Sequence, residues 1–234
     1  RSDGNELMPL PTDLSHTFGD GISARTGRVQ TPAPWHPASW GVAAVAPYAA
    51  LSLIGAIDAA ARGAALALLP FAFARAGMDA SEVGVAFAVL FGAGAAGKFL
   101  CGPLAARTGP AVTIISTEVV TALGIIIIPM APHDAILWTI LPFGFSLNGT
   151  SSVLYALVAP LAVPAQRARA YGLYYTITLL ATAGSPLVYG AAADVMGLRA
   201  AFVVLGVITL GIVPLAWWWR TAFSTDGVPV TSTR

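Results

Sequence analysis

"PYAALSLIGAIDAAARGAALALLPFAFA", residues 47–74, decides how this chain is read. The run is almost wholly apolar, yet it carries two ions, Asp58 and Arg62, one helical turn apart. A helix rising 1.5 Å per residue crosses the ~30 Å hydrocarbon core of a bilayer in about 20 residues. This run is long enough to do so. The rest of the chain agrees: 56% of its 234 residues are hydrophobic and 10% are charged, where soluble domains carry roughly a quarter charged. A formal net charge of +1 offers no basic face to nucleic acid, so none is expected as a partner. The expected partner is the lipid bilayer.

Working outward, five further stretches qualify as spans: about Val83 to Ala106, Ala111 to Met130, Ile136 to Val163, Gly172 to Val195 and Ala200 to Trp219. Backbone groups in lipid are satisfied only in helices or closed barrels, and these runs are too long and continuous for barrel strands. The fold expected is therefore an all-α membrane protein, a bundle of six transmembrane helices. Short breaks separate the spans, at Arg75–Glu82, where Ser81 is a candidate helix cap, and at Arg107–Pro110, Pro132–Asp134, Pro164–Arg169 and Met196–Arg199. Residues 1–40 are polar and proline-rich and read as a disordered linker or tail, closed by Trp35 and Trp40. Residues 41–220 form the bundle, dividing near 130/131, and 221–234 are a C-terminal tail.

Basic residues set the expected orientation. One set of loops and tails holds Arg25, Arg28, Arg107, Arg167, Arg169 and Arg220, and the opposite set holds Arg75 and Arg199, so both termini are expected in the cytoplasm. "GPLAARTG" at 102–109 and "GAAADVMG" at 190–197 share the pattern G-x-x-A-x-x-x-G and end the second and fifth spans on opposite sides. Either small residues match by chance, or the bundle is built of two inverted three-helix repeats, the plan of many secondary transporters.

"GAGAAGKF" at 92–99 nearly spells a phosphate-binding loop, but no strand precedes it and Phe99 stands where a magnesium-binding hydroxyl belongs. Its glycines read instead as close helix packing. The single cysteine, Cys101, allows no internal disulfide. His16 and His36 fall in the polar segment and His133 in a connection, so no metal site and no cofactor is expected.

Ions within spans are costly and mark a cavity, a partner or a pathway. Counted from the cytoplasmic ends at 1.5 Å per residue, Glu118 lies about 12 Å deep, Lys98 about 13 Å, Asp58 about 16 Å and Arg62 about 22 Å. Asp58, Arg62, Lys98 and Glu118 are thus expected to form a buried charge network. It either pins the helices or loads a proton and meets a charged substrate. "LNGTSSVLY" at 147–155 puts Asn148 and Tyr155 on a polar fourth span, and Tyr174 and Tyr175 belong to a polar-aromatic stripe on the fifth. Such stripes serve interhelical hydrogen bonding or line a substrate path.

The helix pattern and "GPLAARTG" resemble the major facilitator superfamily, whose loop motif runs approximately G-x-L-A-D-R-x-G-R-R. Gly102, Leu104, Ala105, Arg107 and Gly109 match it, while Ala106 replaces the acid and Pro110 and Ala111 the trailing bases. "GAAADVMGLRAAF", with Asp194, is similar to the end of that family's eleventh helix, which aligns these spans with the C-terminal six-helix half. "LNGTSSVLY" and "DAAARG" are similar to members grouped with fosmidomycin-resistance-type drug exporters.

The resemblance implies a proton-coupled antiporter performing efflux of a small molecule by alternating access in a bacterial inner membrane. The chain would then be a fragment, completed by an N-terminal half or a second copy. It places Asp58, Arg62, Asn148, Tyr155, Tyr174 and Tyr175 on the substrate and proton pathway, with Glu118 structural. Two other readings compete: a scaffold or receptor on the same fold, and an intramembrane enzyme. The enzyme lacks an intramembrane histidine to activate Ser151, Ser152 or Cys101.

Overall fold

The computed structural model of the chain describes residues 37–223, and within them it is helical almost throughout. The helices are α1 (Val45–Arg75), α2 (Ala80–Thr108), α3 (Pro110–Ile127), α4 (His133–Ala156), α5 (Arg167–Met196), α6 (Leu198–Leu210) and α7 (Ile212–Phe223). The last two continue one another across Gly211, so the sixth span is a helix interrupted near its middle. Five spans are long and apolar enough to cross a membrane, counting α6 with α7 as one. The exception, α4, has the length but carries the polar run at 148–152. The chain is an all-α membrane bundle. Of the expected tails, 1–36 and 224–234 lie outside the described residues.

Helix boundaries follow local chemistry more closely than hydropathy. The N-cap of α2 is Asp79 rather than Ser81: its carboxylate accepts the Glu82 N–H at 2.9 Å, and the Glu82 carboxylate accepts the Asp79 N–H at 2.8 Å. This reciprocal capping box satisfies two orphan donors at once, which one serine hydroxyl cannot do. The fourth span, expected to run to Val163, ends at Ala156 because Pro160 and Pro164 impose single 3₁₀ turns. Residues 37–40, expected within the tail, form another such turn. The following strand-like segment pairs with the α4–α5 connection, Ala43 N–H donating to Leu161 O at 2.9 Å and Val163 N–H to Gly41 O at 2.8 Å.

Packing bears the mark of an internal repeat. α2 lies along α4, as α5 lies along α1, and α3 meets α6. Exchanging the first three spans with the last three reproduces this pattern. Gly109, between α2 and α3, has φ 90° and ψ 146°, and Gly197, between α5 and α6, has φ 87° and ψ 153°. A side chain is strained at such positive φ, so each glycine permits a direct helix-to-helix corner. That exchange of spans is the pattern two inverted three-helix repeats would leave.

Glycine also sets how near the helices come. A Cβ on Gly97 would strike the Phe145 carbonyl of α4, and one on Gly149 would reach Cys101 Sγ of α2. "GAGAAGKF" is therefore a helix contact, with Gly94 and Gly97 buried against α4. Gly92 of the same run faces open space. Replacing Gly97 by Ala should cost about 1–3 kcal/mol through overpacking, whereas Gly92→Ala should be neutral or gain up to about 1 kcal/mol from helix propensity. Thermal unfolding of the two variants in detergent checks the contrast.

Candidate functional site

The core is not one apolar mass. One cluster gathers Phe73, Leu90, Phe143 and Phe202 towards the C-terminal end of α1. A second gathers Tyr48, Ile54, Leu154 and Tyr174 towards its N-terminal end. Between them lies a polar layer: Asp58 and Arg62 on α1, Thr117, Glu118 and Thr121 on α3, Ser146, Thr150 and Ser151 on α4, and Thr178 on α5. Hydroxyls reach buried positions on these helices because most donate back to a carbonyl three or four residues earlier, while Thr121 donates across to Ser146 Oγ at 3.0 Å. Ser146 donates back to Phe143, Thr178 to Tyr174 and Ser151 to Asn148.

Asp58 and Arg62 are one turn apart and ion-paired. The Asp58 side chain is 4% exposed and that of Arg62 21%, so the guanidinium is the ion nearer to open space. Arg62 Nε also donates to Leu147 O of α4 at 3.1 Å. That bond bridges α1 to α4 across the layer. On the other side of Asp58 stands Glu118, fully buried, with Asp58 and the Thr150 hydroxyl facing its carboxyl.

Arg62 opens on a cleft of about 110 Å³ lined from α1, α4 and α5 by Asp58, Ser151, Tyr155, Tyr174, Tyr175 and neighbours. Tyr155 and Tyr174 meet edge to face with ring centroids 5.1 Å apart. The Tyr174 hydroxyl sits against Gly55 of α1, where a Cβ would collide with it. Thr182 fixes the far rim, donating to Ala59 O at 3.2 Å. Thr178 and Thr182 also line the cleft, and the spacing of Tyr174, Thr178 and Thr182 by four residues is the signal in the sequence for this wall.

Five of the residues expected on the pathway therefore meet here: Asp58, Arg62, Tyr155, Tyr174 and Tyr175. Asn148 does not line the cleft, its amide lying over Gly94 at the α2–α4 crossing and donating to Gly144 O at 3.4 Å. Lys98, expected in the buried network, is instead exposed on α2 beside Phe99. The buried stripe of α2, Ala86–Leu90–Gly94–Gly97–Cys101, takes the side facing α4 and turns the lysine away. Of the loop-motif residues, Gly102 and Arg107 are exposed on the last turns of α2, Gly109 makes its corner, and Asp194 is exposed near the end of α5. A larger hollow of about 730 Å³ lies between α2 and α3 over α4, but its lining carries no charge.

Residues 51–232 match the sequence model of the Major Facilitator Superfamily. The chain belongs to the Major Facilitator Superfamily. No curated protein and no solved structure matches it. A Major Facilitator chain is a membrane transporter of small molecules, and a polar cleft between helices, with one ion at its mouth, is the kind of site such work calls for.

Thiol labelling tests whether water enters that cleft. Cys101 is fully buried, so the parent chain should stay silent to a charged, membrane-impermeant maleimide. Tyr175→Cys, in the cleft wall, should react. Leu123→Cys, exposed on α3 well away from the cleft, should not, because the reagent does not enter lipid.

Proposed function

We propose that the chain is the C-terminal half of a proton-coupled exporter of small molecules that works by alternating access. The observation that carries this reading is the site itself: one ion pair opening on a tyrosine-walled cleft, backed by a second carboxylate, in a bundle whose other buried side chains are apolar or carry hydroxyls. A proton and a small polar molecule can both be held there without covalent chemistry.

Support for a missing half comes from α2 and α5. Gly84, Gly92 and Gly102 on α2, and Gly172, Gly184 and Gly190 on α5, all face open space. Small residues along membrane helices let another helix approach closely, and these two helices carry the least buried faces of the bundle. A second six-helix bundle, from a preceding half or another copy, would close over them and over the cleft between. Rocking one bundle against the other would then expose the cleft to either side.

Export is the direction favoured by the resemblance of the α1 and α4 motifs to drug exporters. Arg107, Arg167, Arg169 and Arg220 gather at one end of the bundle and Arg75 and Arg199 at the other. That asymmetry supports cytoplasmic termini in a bacterial inner membrane.

Asp58→Asn in the complete transporter tests the coupling role. Flux driven by an imposed pH gradient should fall roughly tenfold or more, as expected for losing a charge-assisted contact worth about 1.5–3 kcal/mol. Flux equal to the parent's at matched protein levels removes Asp58 from the mechanism.

A further inference from the structure

Among the described ions, Glu118 is fully buried yet lies outside the cleft wall. It is completely buried on α3, behind Asp58 as seen from the cleft, and neither of its carboxyl oxygens has a hydrogen-bond partner among the described residues. Asp58 Oδ1 is likewise buried and unpartnered. These orphan oxygens belong to two acids that face each other, and the charged groups acting on Glu118 are Asp58 and Arg62. Tyr174 of α5 is the further titratable group that faces the Asp58–Arg62 pair. Two carboxylates and one guanidinium make an uncompensated negative charge in a layer closed off by apolar clusters. An unpaired buried ion costs several kcal/mol even after the protein relaxes.

Hydroxyl bookkeeping points the same way. The Thr117 hydroxyl donates to Thr113 O at 2.8 Å or Ile114 O at 3.1 Å, so towards Thr150 it can only accept. Thr150 accordingly donates its single proton to Thr117 Oγ1 at 2.8 Å or to Ser146 O at 3.1 Å. The Thr150 hydroxyl that faces Glu118 is thus already engaged by Thr117 Oγ1 and Ser146 O. With that hydroxyl committed elsewhere, the carboxyl group facing Glu118 is that of Asp58, and two ionised carboxylates sharing one buried site repel each other.

We infer that Asp58 and Glu118 form a proton-binding pair that holds one proton between them at neutral pH, with Arg62 balancing the remaining charge. As the chemistry of the coupling site, this rests on the transport reading above. As a protonation state, it stands or falls without any flux being measured. The step is proton transfer alone: one H⁺ from the aqueous phase forms an O–H bond with a carboxyl oxygen of the pair, and release breaks that bond. Protonated, the three groups sum to zero charge, and deprotonated they sum to minus one. Like charges sharing a site cannot both ionise at ordinary cost, and the proton belongs to the pair rather than to either acid.

Infrared spectroscopy reads this directly in the chain solubilised in dodecyl maltoside, a detergent without a carbonyl group. The difference between parent and Glu118→Gln at neutral pH should contain the carbonyl stretch of one protonated carboxylic acid, shifted in heavy water. Asp58→Asn should remove the same band, because the surviving acid is then neutralised by Arg62. Arg62→Gln should double it, because two acids without a base take up two protons. Circular dichroism confirms helical content, and if Glu118→Gln does not fold, Asp58→Asn reads the same band. Absence of the band from the parent, its survival in either acid variant, or an unchanged band in Arg62→Gln overturns the pair. A confirmed band together with unimpaired flux in Asp58→Asn overturns the coupling role and leaves the proton site standing. The reverse pattern overturns the proton site and leaves Asp58 in transport.

Discussion

The ion pair between Asp58 and Arg62 is the constraint around which the bundle is arranged. Charges at mid-bilayer depth are tolerated when they face the protein interior and find partners. Residues four apart on a helix share one face, so pairing Asp58 with Arg62 fixes the rotation of α1 about its own axis. With that rotation set, Ile54 and Ala61 must point inward as well, and both are buried. Arg62 then reaches Leu147 O on α4, which sets the height of α4 against α1. The hydroxyls of Ser146, Thr150 and Ser151 follow into the same layer.

A polar layer holds a bundle together only if the helices carrying it come close. Glycine supplies the closeness: Gly55 and Gly63 admit Tyr174, Thr182 and Ser185 from α5, and Gly144 and Gly149 admit Leu90, Gly97 and Cys101 from α2. Lipid offers no hydrophobic reward for helix association, so shape and interhelical hydrogen bonds must supply it. The two tight crossings, α1 with α5 and α2 with α4, are equivalents under the internal repeat, and the charged layer lies between them. This explains why α4, the one helix of span length that falls short of membrane-crossing hydropathy, is central rather than peripheral. It is flanked by α2, α3 and α1, and protein rather than lipid receives its polar side chains.

The division between what was legible and what was not follows from which property each residue exploits. Span number and approximate position are composition, averaged over about 20 residues, and single substitutions barely move them. The shared G-x-x-A-x-x-x-G pattern marked Gly109 and Gly197 as matched span ends, and the positive φ at both gives that match a backbone reason that chance similarity lacks. Rotation about a helix axis is different, because it depends on neighbours that the sequence does not name. Lys98 lies one residue from the buried Gly97, and a turn of about 100° separates inside from outside. Depth alone placed it in the network, and depth carries no information on facing. Asn148 misses the cleft for the same reason, drawn to the α2 side by the open space above Gly94. The cap at Asp79 needed geometry in which two carboxylates reach back and forth across one turn.

At Glu118, depth and facing give the burial but not the partners. On α3, which contributes nothing to the cleft wall, an acid reads as structural, and neither of its oxygens has a hydrogen-bond partner among the described residues. Asp58 and Arg62 both line the cleft and Glu118 does not, and of the two Arg62 is the more exposed, so whatever enters the cleft meets chiefly the guanidinium. On the proposed reading, a ligand and a proton would never compete for the same atom. They would communicate through Asp58, which can lean on Arg62 or on Glu118 but serves each less well when it serves both. A substrate group that drew Arg62 away would leave Asp58 without its cation and raise the demand for a proton. A substrate that strengthened the Asp58–Arg62 contact would lower it. On that reading the sign of coupling would be set by the charge of the cargo at Arg62, and the carboxyl pair would only count the proton.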